Sequence, residues 1–289
     1  MDWVTGIQNA LNYIEKHIDE ELDYERIAEH AACSEFYFQR IFNILCGIPL
    51  SEYIRNRRLT LAGSELAGSD MKVIDVAFKY GYESPESFTR AFVKFHGITP
   101  SEAKRAGGSL KSYSPLSVQI ILKGGHLMDY KIVEKPAFKV LERVERHSIS
   151  ETENKNTIPE FWSRCHKDGT VVKLLSITPD REYIYGICYG GNLTGEKEFD
   201  YGIGAVCDED MEVPLGFRVS EIPARTWAVF KTKGAMPEAI QRLWHDICSE
   251  FFPASEYKPT YEMDVEVYTA GDMTAEDYRS EIWVPVVKK

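Results

Sequence analysis

The sequence predicts a two-domain chain: an all-α domain of two helix-turn-helix motifs, then an α+β domain of two β-α-β-β repeats. Three observations carry this. Residues 28–55 recur about 50 positions later. Beyond about residue 128 the apolar pattern changes from helical spacing to strand alternation. A second, weaker duplication then appears at an offset of 87. A length of 289 residues accommodates two domains at roughly 150 residues each.

The elements follow in order. Asn9–Ile18 predicts an amphipathic opening helix, with Ala10, Leu11, Ile14 and Ile18 on its inner face. Asp23 is placed to cap a short helix whose apolar face is Ile27, Ala28 and Ala31. The chain turns at Ala32–Cys33, and Ser34 caps a second helix with Phe38, Ile41, Phe42 and Leu45 inward. Leu50–Leu66 reads as a connecting helix. The second copy matches the first at Ser84, Phe88, Arg90, Phe92, Gly97 and Arg105, with Gly81 suited to a left-handed helix end and Pro85 to a first helical position. Polar Ser and Arg recur at equivalent positions, which core packing alone does not require.

Residues 108–128 predict a linker between domains 1–107 and 129–289. Gly107, Gly108, Gly124 and Gly125 suggest a tether, with an extended piece at Leu116–Leu122. Strands are predicted at Tyr130, Ile132, Phe138–Leu141, Tyr183–Tyr189, Tyr201–Cys207, Phe217–Ile222, Thr226–Lys231, Glu262–Tyr268 and Arg279–Val286. Helices are predicted at Ile158–Lys167 and Pro237–Phe252. The second duplication aligns Tyr130 with Phe217, Ile132 with Val219, Glu134 with Glu221, and Pro136–Ala137 with Pro223–Ala224. Two such halves can enclose a cleft.

Composition narrows the function classes. The chain lacks an apolar run long enough for a membrane span, and no secretion signal is visible. Six scattered cysteines suit reduced cytoplasmic thiols. No cofactor motif is present, and His245 with Cys248 lacks the further ligands a metal needs. Net charge is −11, yet residues 36–107 carry a net +3 between acidic flanks of −7 each. A phosphate-contacting surface has to lie on that basic island.

Segment 7–105 closely resembles the AraC/XylS family of transcription regulators. The carriers are Gly81–Tyr82–Glu83–Ser84, Phe88, Arg90, Phe92, Gly97, Thr99 and Pro100, with Ala28, Ser34, Phe38, Arg40, Phe42, Gly47 and Pro49 in the first copy. The resemblance implies seven helices, two of which enter successive major grooves of double-stranded DNA. Its base-reading candidates are Phe36, Gln39 and Arg40, then Pro85, Glu86, Ser87 and Arg90. Arg40 and Arg90 can fork onto guanine, meet phosphate or pair within the domain, Gln39 can pair with adenine, and Phe36 can cover a thymine methyl. Glu86 can accept from a cytosine amine or serve its helix dipole. Arg55, Arg57 and Arg58 divide between structural ion pairs and DNA contacts.

Residues 129–287 resemble a GyrI-like effector-binding domain through Phe161–Trp162, the Tyr183–Tyr189 strand, Tyr201, Gly204 and Glu281–Pro285. The resemblance implies a multidrug-sensing pocket walled by aromatics, with Glu281 as the carboxylate on the last strand. Alternation places Trp283 beside Glu281, with Trp162, Tyr189, Tyr201 and Trp244 as further wall residues. An acid among rings attracts a lipophilic cation. The expectation is a cytoplasmic, non-enzymatic regulator that binds DNA as a monomer, with RNA polymerase as a candidate partner. The rival readings are a small-molecule hydrolase, using Glu281 and a tyrosine as base and acid, and a protein-interaction module.

Overall fold

The computed structural model describes residues 3–105, 109–118, 128–148, 157–177, 182–190, 198–208 and 211–289. The four linker glycines fall outside these. Two compact units result. One comprises Val4–Ala32 and Ile48–Ile121. The other comprises Met1–Trp3, Cys33–Gly47 and Leu122–Lys289, so the second helix of the first repeat groups with the C-terminal sheet.

The N-terminal part carries seven helices: α1 (Trp3–Lys16), α2 (Tyr24–His30), α3 (Glu35–Cys46), α4 (Leu50–Gly68), α5 (Val73–Lys79), α6 (Pro85–His96) and α7 (Pro100–Lys104). Local chemistry sets their ends. The Asp23 carboxylate accepts from the Glu25 amide at 2.9 Å, and Ser34 and Ser84 accept from Tyr37 and Ser87 at 3.4 and 3.2 Å. Thr99 and Glu102 close a capping box on α7. Gly81 holds φ +79°, where a side chain would also meet Arg58 Nη1 at 2.8 Å.

In the first unit, Leu59, Leu66, Val76, Ala77, Phe88 and Phe92 pack into one buried cluster. Two of the three clustered arginines are structural. Arg57 Nη2 pairs with Glu15 at 2.7 Å, and Arg58 donates to the Ile18 and Glu20 carbonyls at 2.8 and 2.6 Å, closing the end of α1. Arg55 is exposed.

Residues 109–118 form no strand. They run as a strap over the helices, with backbone amides taken by side chains instead of a neighbouring strand. Lys111, Tyr113, Leu116 and Val118 donate to His96 Nδ1, Thr60 Oγ1, Tyr53 Oη and Gln8 Oε1 at 2.8–3.1 Å.

The second unit holds β1 (Tyr130–Lys135), β2 (Phe138–Ser148), α8 (Thr157–Lys167), α9 (Thr170–Ile177), β3 (Tyr183–Tyr189), β4 (Glu198–Val206), β5 (Arg218–Ile222), β6 (Arg225–Lys233), α10 (Glu238–Asp246), β7 (Tyr257–Pro259), β8 (Met263–Thr269) and β9 (Arg279–Lys288). A π-helical turn, Ile247–Phe251, continues α10. The two α+β repeats are present; the first, β1 to β4, has one strand more than the predicted unit, and the second, β5 to β9, has two. The antiparallel sheet runs β1-β6-β9-β8-β3-β4-β2-β5, with β7 on β9. Exchanging β1 with β5, β2 with β6, β3 with β8 and β4 with β9 reverses this order without changing it. The halves are therefore related by a pseudo-two-fold through the β3–β8 pair.

The connections force the sheet to curl. β5 and β6 stand six places apart in the order, about 29 Å if flat. Only Pro223 and Ala224 join them, a link that spans about 11 Å at most. Pro136–Ala137 imposes the same on β1 and β2. The concave face closes on a core that includes Val140, Tyr185, Ile187, Trp227, Val265 and Trp283. α8, α9 and α10 pack on the convex face, α8 on β2 and α10 on β6 and β9.

Candidate functional site: the two helix-turn-helix motifs and an acidic aromatic pocket

The helix pair of the second repeat presents its candidates outward. Glu86 and Arg90 are exposed on α6. Ser87 is half-buried, its hydroxyl donating to the Ser84 carbonyl at 2.8 Å.

The equivalent residues of the first repeat are covered. Phe36 lies with its ring centroid 4.3 Å from that of Phe199. Gln39 is buried and donates to Glu35 at 2.9 Å. Arg40 ion-pairs through Nη1 with Asp264 on β8. Its guanidinium carbon sits 4.5 Å from the Trp244 ring centroid.

Asp264 belongs to an acidic row that sequence reasoning missed. β8 alternates Met263, Val265 and Val267 toward the core with Asp264, Glu266 and Tyr268 toward the helices. Tyr37 donates to Asp264 Oδ2 at 3.2 Å, while Oδ1 is buried without a partner. Burial pushes the Asp264 carboxyl up, and the adjacent Arg40 charge opposes that shift. Glu266 accepts from Trp244 Nε1 at 2.7 Å and from the Tyr268 hydroxyl at 2.8 Å. Trp162 donates to the Tyr201 hydroxyl at 3.0 Å and meets Tyr268 edge-on at 5.0 Å. Gly186, opposite Glu266, makes this crossing possible, since a Cβ there would lie 2.3 Å from the Tyr201 hydroxyl. Burial also pushes the phenols of Tyr37, Tyr201 and Tyr268 up, so they remain hydrogen-bond donors. Beside Asp264 lies a narrow pocket lined by Trp3, Tyr37, Arg40, Trp244 and Phe252 among others.

The sequence-predicted effector residues divide between the two sheet faces. Trp162, Tyr201 and Trp244 belong to the acidic aromatic row. Tyr189, Glu281 and Trp283 are on the concave face. Glu281 pairs with Lys231 at 3.5 Å and accepts from Trp283 Nε1 at 2.7 Å. Trp283 packs edge-on against Tyr185 and Trp227, with the Lys135 ammonium 3.9 Å from its ring centroid. Tyr189 donates to the buried Glu142 at 2.8 Å. The alternation along β9 is as expected, and its aliphatic face, Ile282, Val284 and Val286, packs on the helices. The other face closes on itself because the sheet curls. The readable signal for the acidic row was the alternation in Met263–Thr269, two carboxylates and a tyrosine on one face of an otherwise apolar strand.

Comparison with known proteins agrees with both halves. Residues 131–286 match the Cass2 family, the integron-associated effector binding proteins, and residues 27–106 match a helix-turn-helix domain family. The HTH-type transcriptional activator AarP of Providencia stuartii is 39% identical over 95 residues, covering 33% of this chain and 70% of that protein. The Tn10 TetD protein of Escherichia coli is 39% identical over 101 residues, covering 35% and 73%. The regulatory protein SoxS of Salmonella typhimurium is 38% identical over 96 residues, covering 33% and 90%. The chain belongs to the AraC/XylS family of helix-turn-helix transcriptional regulators, with an integron-associated, GyrI-like effector-binding domain as its C-terminal half.

Proposed function

We propose that this DNA-binding regulator responds to a small organic cation with an apolar body, taken up between Trp244 and Asp264. The observation that supports this most is the buried Asp264 carboxylate, whose Oδ1 has no donor although aromatic rings and a narrow pocket adjoin it. An unpaired buried oxygen is costly, and a bound cation offsets that cost. The stacked tryptophan adds cation–π attraction. On the DNA side, Glu86, Ser87 and Arg90 read one major groove, and Phe36, Gln39 and Arg40 read another. Action in the cytoplasm, and contact with RNA polymerase at a promoter, accompany this reading. Calorimetric titration of the full chain with benzamidinium and with its neutral isostere benzamide tests it. Benzamidinium is expected to bind and benzamide to bind at least tenfold more weakly, with the difference lost in Asp264→Asn. Equal binding of the two probes refutes a charge-selective pocket.

A further inference from the structure

The first reading helix is held where it cannot read. Phe36 and Gln39 are 6% and 8% exposed, and Arg40 is turned onto Asp264 and Trp244. The contacts run along one face of α3, through Phe36, Tyr37, Arg40 and Ile44, which are spaced as one side of a helix. At its far end His245 Nδ1 donates to the Ile44 carbonyl at 3.2 Å. The sheet is shaped for this face: a Cβ at Gly190 would lie 2.6 Å from Tyr37 Cε2.

Arg40 meets the requirements of the cation seat, but incompletely. It stacks on Trp244 and contacts Oδ2, with Nη1 as its donor, and Asp264 Oδ1 remains without a donor. A planar cation that presents two parallel N–H groups can engage both oxygens, which is the stronger geometry. Amidinium and guanidinium groups have that fork, and because Tyr37, Arg40, Ile41 and Ile44 of α3 line the adjoining pocket, departure of α3 makes room there for an apolar body attached to it.

Building on the cation site proposed above, we infer that Arg40 is a tethered competitor for it. A planar amidinium or guanidinium ligand takes Asp264 and Trp244 from Arg40, α3 leaves the sheet, and Phe36, Gln39 and Arg40 become available to DNA. A competitor that occupies the seat nine-tenths of the time weakens the ligand's apparent affinity about tenfold. Linkage then makes DNA and the ligand strengthen one another by one common factor.

The test uses the full chain and benzamidinium chloride, with sodium chloride as the ionic control. Calorimetry compares wild type, Arg40→Ala and Arg40→Met. Removing the competitor is expected to tighten benzamidinium about tenfold in both variants. Hydrogen exchange is followed in the wild type and in Asp264→Asn. Benzamidinium is expected to raise exchange across residues 35–46 of the wild type and leave residues 85–96 unchanged. Asp264→Asn is expected to do the same without ligand. If benzamidinium binds, but the Arg40 variants bind it no more tightly and α3 exchange does not move, the competitor role is overturned while the cation site stands. If benzamidinium binds neither the wild type nor the Arg40 variants, both readings fall.

Discussion

Acidification should loosen the strap that crosses α1, α4 and the end of α6, and His96 sets the pH at which it does. The ring is 4% exposed on α6. It bridges α4 and the strap: Nε2 donates to the Leu59 carbonyl at 2.9 Å, and Nδ1 accepts from the Lys111 amide at 3.1 Å. Both nitrogens are used only if the ring is neutral. A second proton must go to Nδ1 and displace the Lys111 amide. Burial lowers the pKa of His96, the Leu59 carbonyl opposes this, and the Lys111 charge adds to it. The folded state thus binds the proton less readily than the unfolded chain, whose histidine titrates near 6.5. Stability from this group is present above about pH 6.5 and is lost as pH falls below it. The loss is one hydrogen bond with two buried donors left facing each other, about 1–3 kcal/mol. The assay is hydrogen exchange at Lys111 and Tyr113 between pH 7.5 and 5.5, corrected for intrinsic rate. Protection should fall about tenfold for each 1.4 kcal/mol lost, while the α1 amides hold. Protection that is independent of pH, or that falls equally in His96→Phe, would refute the reasoning.

Further outcomes are expected. Gly186→Ala places a methyl against the Tyr201 hydroxyl, so chemical denaturation should show a loss of about 1–3 kcal/mol. Glu281→Gln should leave the benzamidinium Kd within twofold of wild type by calorimetry, because that carboxylate is already paired with Lys231 on the concave face. Arg90→Ala should cost about 1–3 kcal/mol and relax preference at one base pair in a binding-site selection; equal weakening on every sequence would make Arg90 a phosphate contact. Sedimentation on selected duplex should find one chain per site, because two helix-turn-helix motifs already lie in one polypeptide; a two-to-one complex on a palindrome would contradict this.

What the sequence made legible was chiefly what local chemistry decides. The caps at Asp23, Ser34 and Ser84 form as expected, because a cap needs only the amides two or three residues ahead. The Tyr183–Tyr189 strand has the predicted ends. α9 was missed: it is short and rich in Val171, Val172, Leu174 and Leu175, and its start rests on Asp168 accepting from the Thr170 amide at 3.0 Å. Which face of β9 meets a pocket was not legible, because that depends on strand order. Both Pro–Ala links were visible as a duplication, but nothing local says that each spans opposite ends of the sheet. The burial of Arg40 was likewise hidden, since it depends on an acid 224 positions away.

The pseudo-two-fold axis has a consequence for how such a pocket can arise at all. The β3–β8 pair is the one place where the halves meet as equivalents, and there they are unlike. β3 brings Gly186 and Cys188 against Glu266 and Asp264 of β8. A dimer of identical half-domains could not do this, because a symmetric contact repeats each residue on both sides. Two copies of β8 would crowd four carboxylates together, and two copies of β3 would supply none. Fusing the copies into one polypeptide frees each strand to change alone. One half can carry the charge while the other gives up its side chains to make room.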